Sequence, residues 1–161
     1  GRLDLGRNKL FADFLANNDE DWLLMVDTDM VFAPQDVALL MKKADAKTNP
    51  ITGGLYIKED QQPVAFKWVD GRSRHWDGKG KGLVEVDILG FGFTLIHRSV
   101  LEAFGDTPPC DNSRIGPSGQ PLSDDFSFCF KAQELGFKLK LNTDVHLGHV
   151  KTAILFPEVS K

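Results

Sequence analysis

The chain is poor in cysteine and in excess positive charge, and it has no long apolar run. Its two cysteines in 161 residues, Cys110 and Cys129, make no metal-ligand spacing. They leave room for one disulfide at most, and reduced thiols in a cytoplasmic protein are the expectation. A net charge of −4 speaks against a dedicated nucleic-acid binder, which carries a basic excess, but not against a nucleotide held through a metal. No apolar run approaches the length of a membrane span, and no secretory leader is expected. Repeats and low-complexity tracts are also missing. The chain opens at Gly1-Arg2-Leu3-Asp4 without an initiator Met, so an upstream segment is expected. With 42% hydrophobic and 26% charged residues, residues 1–161 read as a single folded domain with a sizeable core.

What the chain does have is a strand signal running into acid. Trp22-Leu23-Leu24-Met25-Val26 is a continuous apolar run, and Asp27-Thr28-Asp29 follows it. A run of this length suits a strand buried on both faces. Carboxylates at the C-terminal end of such a strand stand where open α/β sheets bind ligands. Two of them repel unless a cation or a proton intervenes, and a divalent metal with oxygen ligands is the simplest resolution. An Asp that merely opens the next turn is the plain alternative.

Around this stretch the periodicity predicts an alternation of helices and strands. Residues 7–18 read as a helix, with Leu10, Phe11, Phe14 and Leu15 on one face. Arg7 and Asn8 then lie at its start, as a solvated helix end or as an anion contact. A second helix begins at Ala33-Pro34, with Pro in the first turn. Strands are expected over 51–57, 64–69 and 83–89. Gly53-Gly54 suggests close approach by another backbone or a ligand. Residues 72–81 lack core periodicity and read as an exposed, mobile loop. Gly90-Phe91-Gly92-Phe93 suggests backbone lying near a ligand with rings on a pocket wall, or else packing glycines at a sheet crossing. Ser99 to Glu102 has the form of a capping box. Residues 105–122 form the longest irregular stretch. Ser123 caps a helix from Asp124 to Leu135, residues 137–141 read as a half-exposed strand, and the tail from Val150 carries no further motif.

Three polar clusters end structural elements: Asp27/Asp29, Asp124/Asp125 and His146/His149. Each has a plain reading on its own, since acids in a first helical turn favour the helix dipole and histidines are often solvated. Together they outline a chemistry. Asp29, with Asp27 near it, can hold a divalent cation. One histidine can complete the set, which favours Mn²⁺ over Mg²⁺. Such a cation bridges a diphosphate and neutralises a leaving group. Asp125, at a helix start, can serve as a general base toward a hydroxyl.

The ordered set of Arg7-Asn8, Asp27-Thr28-Asp29, Gly53-Gly54-Leu55-Tyr56, Gly90-Phe91-Gly92-Phe93, Asp124-Asp125 and His149 resembles glycosyltransferases of the GT-A fold, near the family 2 group. The resemblance implies an α/β fold: a GT-A-like, Rossmann-like mixed sheet flanked by helices. It implies metal-dependent transfer of a sugar from a UDP- or GDP-sugar to an acceptor glycan or other hydroxyl compound. Asp27, Asp29 and His149 would hold Mn²⁺ (or Mg²⁺). Arg7, Asp27, Gly90, Phe91 and Gly92 would contact substrate. Asp125 would be the base of an inverting reaction, with Asp124 beside it. His149 matches better than His146 because it closes a Gly-His pair.

Family members begin with a strand–helix–strand unit that binds the base, and here only one helix precedes the Asp-x-Asp strand. Two other readings stay open. Leu23 to Val31 also resembles the first motif of haloacid-dehalogenase-like phosphatases, in which Asp27 would be nucleophile, Asp29 the acid/base, and Asp124-Asp125 the Mg²⁺ ligands. A non-catalytic, glycan-binding remnant of a glycosyltransferase is the third.

Overall fold

The computed structural model describes residues 2–58, 60–116 and 119–151. In chain order the elements are α1 (Leu3–Asn17), β1 (Trp22–Val26), β2 (Met30–Val31), α2 (Pro34–Lys43), β3 (Ile51–Leu55), β4 (Ala65–Val69) and β5 (Arg72–His75). They continue as β6 (Leu83–Val86), β7 (Ile88–Leu89), β8 (Phe93–His97), α3 (Arg98–Ala103), α4 (Asp124–Glu134), β9 (Leu139–His146) and β10 (Gly148–His149). The result is a small α/β fold with a mixed sheet flanked by helices.

The main sheet has five strands in the order β1-β8-β3-β9-β6. Pairing is antiparallel for β1 with β8, β8 with β3 and β9 with β6, and parallel for β3 with β9. It follows that β1, β3 and β9 all point the same way. Their C-terminal ends lie along one edge of the sheet, where α/β folds bind ligands. The Asp-x-Asp turn leaves β1 there, Tyr56 to Lys58 leave β3, and Leu147 to Lys151 leave β9. Because β8 runs the other way, Gly90 to Gly92 enter the sheet at that same edge.

Two smaller sheets tie this edge together. β2 pairs antiparallel with β10, with His149 opposite Met30. β5-β4-β7 forms a three-stranded sheet packed on α4. The core between sheet and helices is rich in phenylalanine. Phe128 is fully buried and meets Phe91 at 5.1 Å and Phe11 at 5.8 Å between ring centroids. Such pairs add roughly 0.5–1.5 kcal/mol each beyond their area burial.

Several expectations change. β1 is an edge strand with only Met25 buried, and Val26 is 38% exposed, so it is not covered on both faces. A hydrophobic run records apolar character and not the position of the strand in its sheet. Residues 72–75 are a strand, because Arg72 to His75 complete a hairpin with Val69 to Phe66 across the Asp70-Gly71 turn. Residues 83–89 split into β6 and β7, which belong to different sheets. α3 begins at Arg98 with His97 as its cap: the His97 ring accepts from Ser99 N–H, so Ser99 is not the cap. Gly54 is required because Leu147 and Val145 side chains fill the space a Cβ would take, 2.6 and 3.0 Å away, and not another backbone.

Candidate functional site

The site is best built from α1. The helix starts at Leu3, so Arg7 and Asn8 sit in its second turn and not at its start. Positions 4, 7, 8, 11, 14 and 15 share one helical face. Phe11 and Phe14 on that face are buried, and they carry Asp4, Arg7 and Asn8 inward with them. Leu10, expected on the same face, is 43% exposed.

Arg7 joins two acidic clusters. Its guanidinium donates to Asp124 Oδ2 and, at 3.2 Å, to Asp27 Oδ1, and it lies 4.7 Å over the Phe91 ring. Burial works against this cation, and Asp124 and Asp27 outweigh it, leaving its pKa raised. With an Arg7 side chain 15% exposed and an Asp124 side chain 8% exposed, this is a largely buried ion pair. Asn8 pins the long loop beside it: its amide donates to the Cys110 carbonyl and accepts from Cys110 N–H, both at 2.8 Å. Cys110 and Cys129 are both free and buried, and burial pushes the Cys110 thiol up to about 12.

The Asp-x-Asp segment is a tight turn held from both sides. Met30 N–H donates to the Asp27 carbonyl at 3.1 Å, Asp27 N–H to the Gly92 carbonyl at 3.1 Å, and Val150 N–H to the Asp29 carbonyl at 2.8 Å. The β2–β10 pairing brings the late histidine to the early acid. His149 Nε2 lies 3.0 Å from Asp29 Oδ2, and Lys151 Nζ donates to the same oxygen at 3.0 Å. The other imidazole nitrogen, Nδ1, lies 2.8 Å from the Ile57 carbonyl, which can only accept, so Nδ1 carries the proton. Nε2 then faces the carboxylate either with a second proton, as an imidazolium, or with a lone pair. The Lys151 hydrogen bond, helped by His149, outweighs burial and holds the Asp29 carboxyl below the usual carboxylate range. His146 points elsewhere: its Nε2 meets the Thr143 carbonyl at 2.8 Å, and it is exposed.

Asp124 and Asp125 open α4 as expected, with Ser123 at the N-cap position. The Ser123 hydroxyl does not cap the helix but donates to Asp125 Oδ1, which also accepts from Phe126 N–H at 2.9 Å. Burial pushes the Asp125 carboxyl up, and the neighbouring Asp124 charge adds to the rise.

Of the two roles open to the Gly90-Phe91-Gly92 stretch, lining a pocket or packing, the structure shows packing. Phe91 is 2% exposed and belongs to the aromatic core, so its ring lines no open pocket. Gly90 and Gly92 make room for the Tyr56 ring, whose hydroxyl accepts from Gly92 N–H at 3.1 Å. Tyr56 in turn packs edge-on against His149, with ring centroids 5.4 Å apart. These glycines support the site from behind.

Three basic residues complete the site edge. Lys58, His149 and Lys151, with Asp60, line a cleft of ≈ 330 Å³. Lys58 and Lys151 belong to no motif that the sequence shows, and Lys151 nonetheless reaches Asp29. The structure thus brings Asp29 to His149 and Arg7 to Asp27 and Asp124. It does not draw Asp27 in as a third ligand: among the described residues no three His, Cys, Asp or Glu side chains gather closely enough to hold a metal ion. Asp29 and His149 set a carboxylate oxygen beside an imidazole nitrogen whose ring is anchored on a backbone carbonyl, and Lys151 shares that oxygen. Among the described residues no helix is long and apolar enough to cross a membrane.

No protein-family model matches the sequence, and no curated protein matches it. Among solved structures, the crystal structure of A197 from STIV is similar to it at 17% identity and a TM-score of 0.60, over 100% of this chain and 82% of that one. At this identity the likeness speaks to the fold alone: a small α/β arrangement with a mixed sheet between helices.

Proposed function

We propose that the chain is a metal-dependent glycosyltransferase of GT-A-like fold, which moves a sugar from a nucleoside-diphosphate donor to an acceptor hydroxyl with inversion. The observation that carries this reading is the contact of His149 with Asp29 across 120 residues of sequence, at the C-terminal ends of parallel strands.

In this reading Asp29 and His149 hold Mn²⁺ (or Mg²⁺), which when bound supplies positive charge to the donor diphosphate. Lys58 and Lys151 line the adjoining cleft and add fixed cationic charge for the same anion. Asp125 takes the proton from the acceptor hydroxyl as its oxygen bonds to the anomeric carbon and the nucleoside diphosphate departs. Its raised pKa makes it a stronger base than an exposed aspartate, and Ser123 and Phe126 N–H hold Oδ1, so the carboxylate is oriented. Arg7 holds Asp124 and Asp27 in place, which fixes the start of α4 relative to the Asp-x-Asp turn. Arg7 has little surface left for substrate, so its role is positioning.

Isothermal titration with UDP and with GDP, each with and without Mn²⁺, tests the reading. Binding of one nucleotide that requires the cation and is lost in Asp29→Ala supports it. Equal binding by the Asp29→Ala variant overturns the metal role of this carboxylate.

A further inference from the structure

The three-stranded sheet β5-β4-β7 has two faces of different chemistry. One is turned to α4: Phe66 meets Phe126 at 5.3 Å and Trp68 meets Phe130 at 5.0 Å between ring centroids. Strand side chains alternate, so Lys67 and Val69 fall on the opposite, outer face. The register sets Lys67 against Arg74 and continues one step, with Trp76 N–H donating to the Ala65 carbonyl at 2.8 Å. Arg74 and Trp76 therefore share the outer face with Lys67.

A cleft of ≈ 360 Å³ opens on this face, walled by Lys67, Arg74, Trp76, Lys79, Val84 and Glu85 among others. That volume lies in the range of small-molecule sites, roughly 300–1,000 Å³. The Trp76 indole N–H donates to the Lys79 carbonyl at 2.9 Å, which fixes the ring by its edge in the cleft wall. The charges differ in commitment. Lys67 pairs with Asp87 at 3.4 Å, Lys79 with Asp77 at 3.0 Å, and Glu85 with Lys138 and Lys140. Among the described residues Arg74 has no ion-pair partner.

We propose that this cleft is a binding subsite for an acidic saccharide, a hydroxylated ring carrying a carboxylate. The C–H face of the sugar lies on the fixed indole, which presents an apolar surface. Its carboxylate takes the fork of the Arg74 guanidinium. Its hydroxyls donate to the carboxylates of Glu85 and Asp77, which can only accept. A bare anion has no use for the indole, and a neutral sugar has none for the Arg74 fork. The subsite does not depend on the transferase reading, because it lies on the face of the small sheet turned away from Asp125 and α4.

The test is a nitrogen-15 NMR titration of the whole chain. The indole N–H signals of the three tryptophans are followed, with that of Trp76 identified by Trp76→Phe. The probes are sodium glucuronate, glucose, sodium acetate and a short single-stranded oligonucleotide. The Trp76 signal moves saturably with glucuronate at concentrations where glucose and acetate leave it still. Arg74→Ala then raises the Kd about tenfold or more while the rest of the spectrum is unchanged. Arg74→Lys, which keeps the charge and loses the fork, gives an intermediate Kd and decides the matter if the alanine variant folds poorly. An equal response to acetate, a response to the oligonucleotide alone, a still signal with glucuronate, or wild-type affinity in both Arg74 variants overturns the proposal.

Discussion

The two acidic ends of the site are built in opposite ways. Asp29 has a side chain 41% exposed and meets Lys151 and His149, which hold its carboxyl low. Asp125, in the first turn of α4, is half-buried beside another aspartate, and its carboxyl is pushed up. A carboxylate whose pKa is lowered by its neighbours stays ionised more readily, the form that a metal ligand takes. A carboxylate in a poorly solvated setting takes a proton more readily, suited to acting as a base. Arg7 stands between the two, with one nitrogen on each cluster.

The sharpest way to break this comparison is Asp125→Asn. The amide keeps the shape and loses the basicity, so transfer falls by roughly 10²–10⁴-fold with nucleotide binding unchanged. Full turnover in this variant removes Asp125 as the base and with it half of the contrast. Single-turnover assays beside titration calorimetry separate chemistry from binding.

Next in size is Arg7→Met. The substitution keeps the stem that packs over Phe91 and strips the charge from a largely buried pair. Leaving Asp124 without its partner costs about 3–5 kcal/mol of folding stability. Urea unfolding of Arg7→Met, and of the double variant Arg7→Met/Asp124→Asn, checks the mechanism. The double variant recovers part of the loss if the uncompensated carboxylate is the cause.

His149→Ala acts on the Asp29 side alone. Mn²⁺-dependent nucleotide binding weakens by about 10–100-fold, and folding stability falls as well, because the ring is only 12% exposed, packs edge-on against Tyr56 and is bonded at both nitrogens. His146→Ala, whose ring bonds its own strand's Thr143 carbonyl and points away from Asp29, leaves binding unchanged. If the two variants behave alike, the distinction between the histidines is lost.

How much of this arrangement can be read from sequence depends on which contacts are local. Asp27-Thr28-Asp29, Gly90 to Gly92 and His149 are readable as neighbours because they adjoin strand ends, and the parallel strands β1, β3 and β9 bring those ends to one edge. The preference for His149 over His146 is also readable from the Gly-His pair, and it agrees with where the two rings point. Lys151 and Tyr56 are another matter. Lys151 reaches Asp29 only because β10 pairs with β2, a pairing of two residues on each side that leaves no periodic trace. Tyr56 explains Gly90 and Gly92, but a glycine marks only that a neighbour comes close, not whether that neighbour is ligand or side chain. The β5 strand is hidden for a related reason: its outward residues are basic, so it lacks the apolar alternation that reveals a half-buried strand.

The smallest effect is also the most direct test of the contrast, because the two carboxylates must bend the stability curve in opposite directions. Asp29 has a folded pKa below its ordinary 3.8, so its contribution is present above that value and is lost as pH falls through the folded one. Asp125 has a folded pKa above 3.8, so its contribution is complete below that value and is lost as pH rises through the folded one. Asp29→Asn is therefore slightly less stable than the parent at neutral pH, and the gap closes on acidification toward pH 3. Its size is modest and shrinks in salt, because the partners are at the surface. Asp125→Asn is more stable than the parent at neutral pH, and that gap closes from the other side as acid protonates the parent's carboxyl. Urea midpoints for the two variants between pH 3 and 8 show differences of opposite sign that converge at the acid end. Differences of the same sign would mean that both carboxylates share one environment, and a division of labour between metal ligand and base would lose its electrostatic basis.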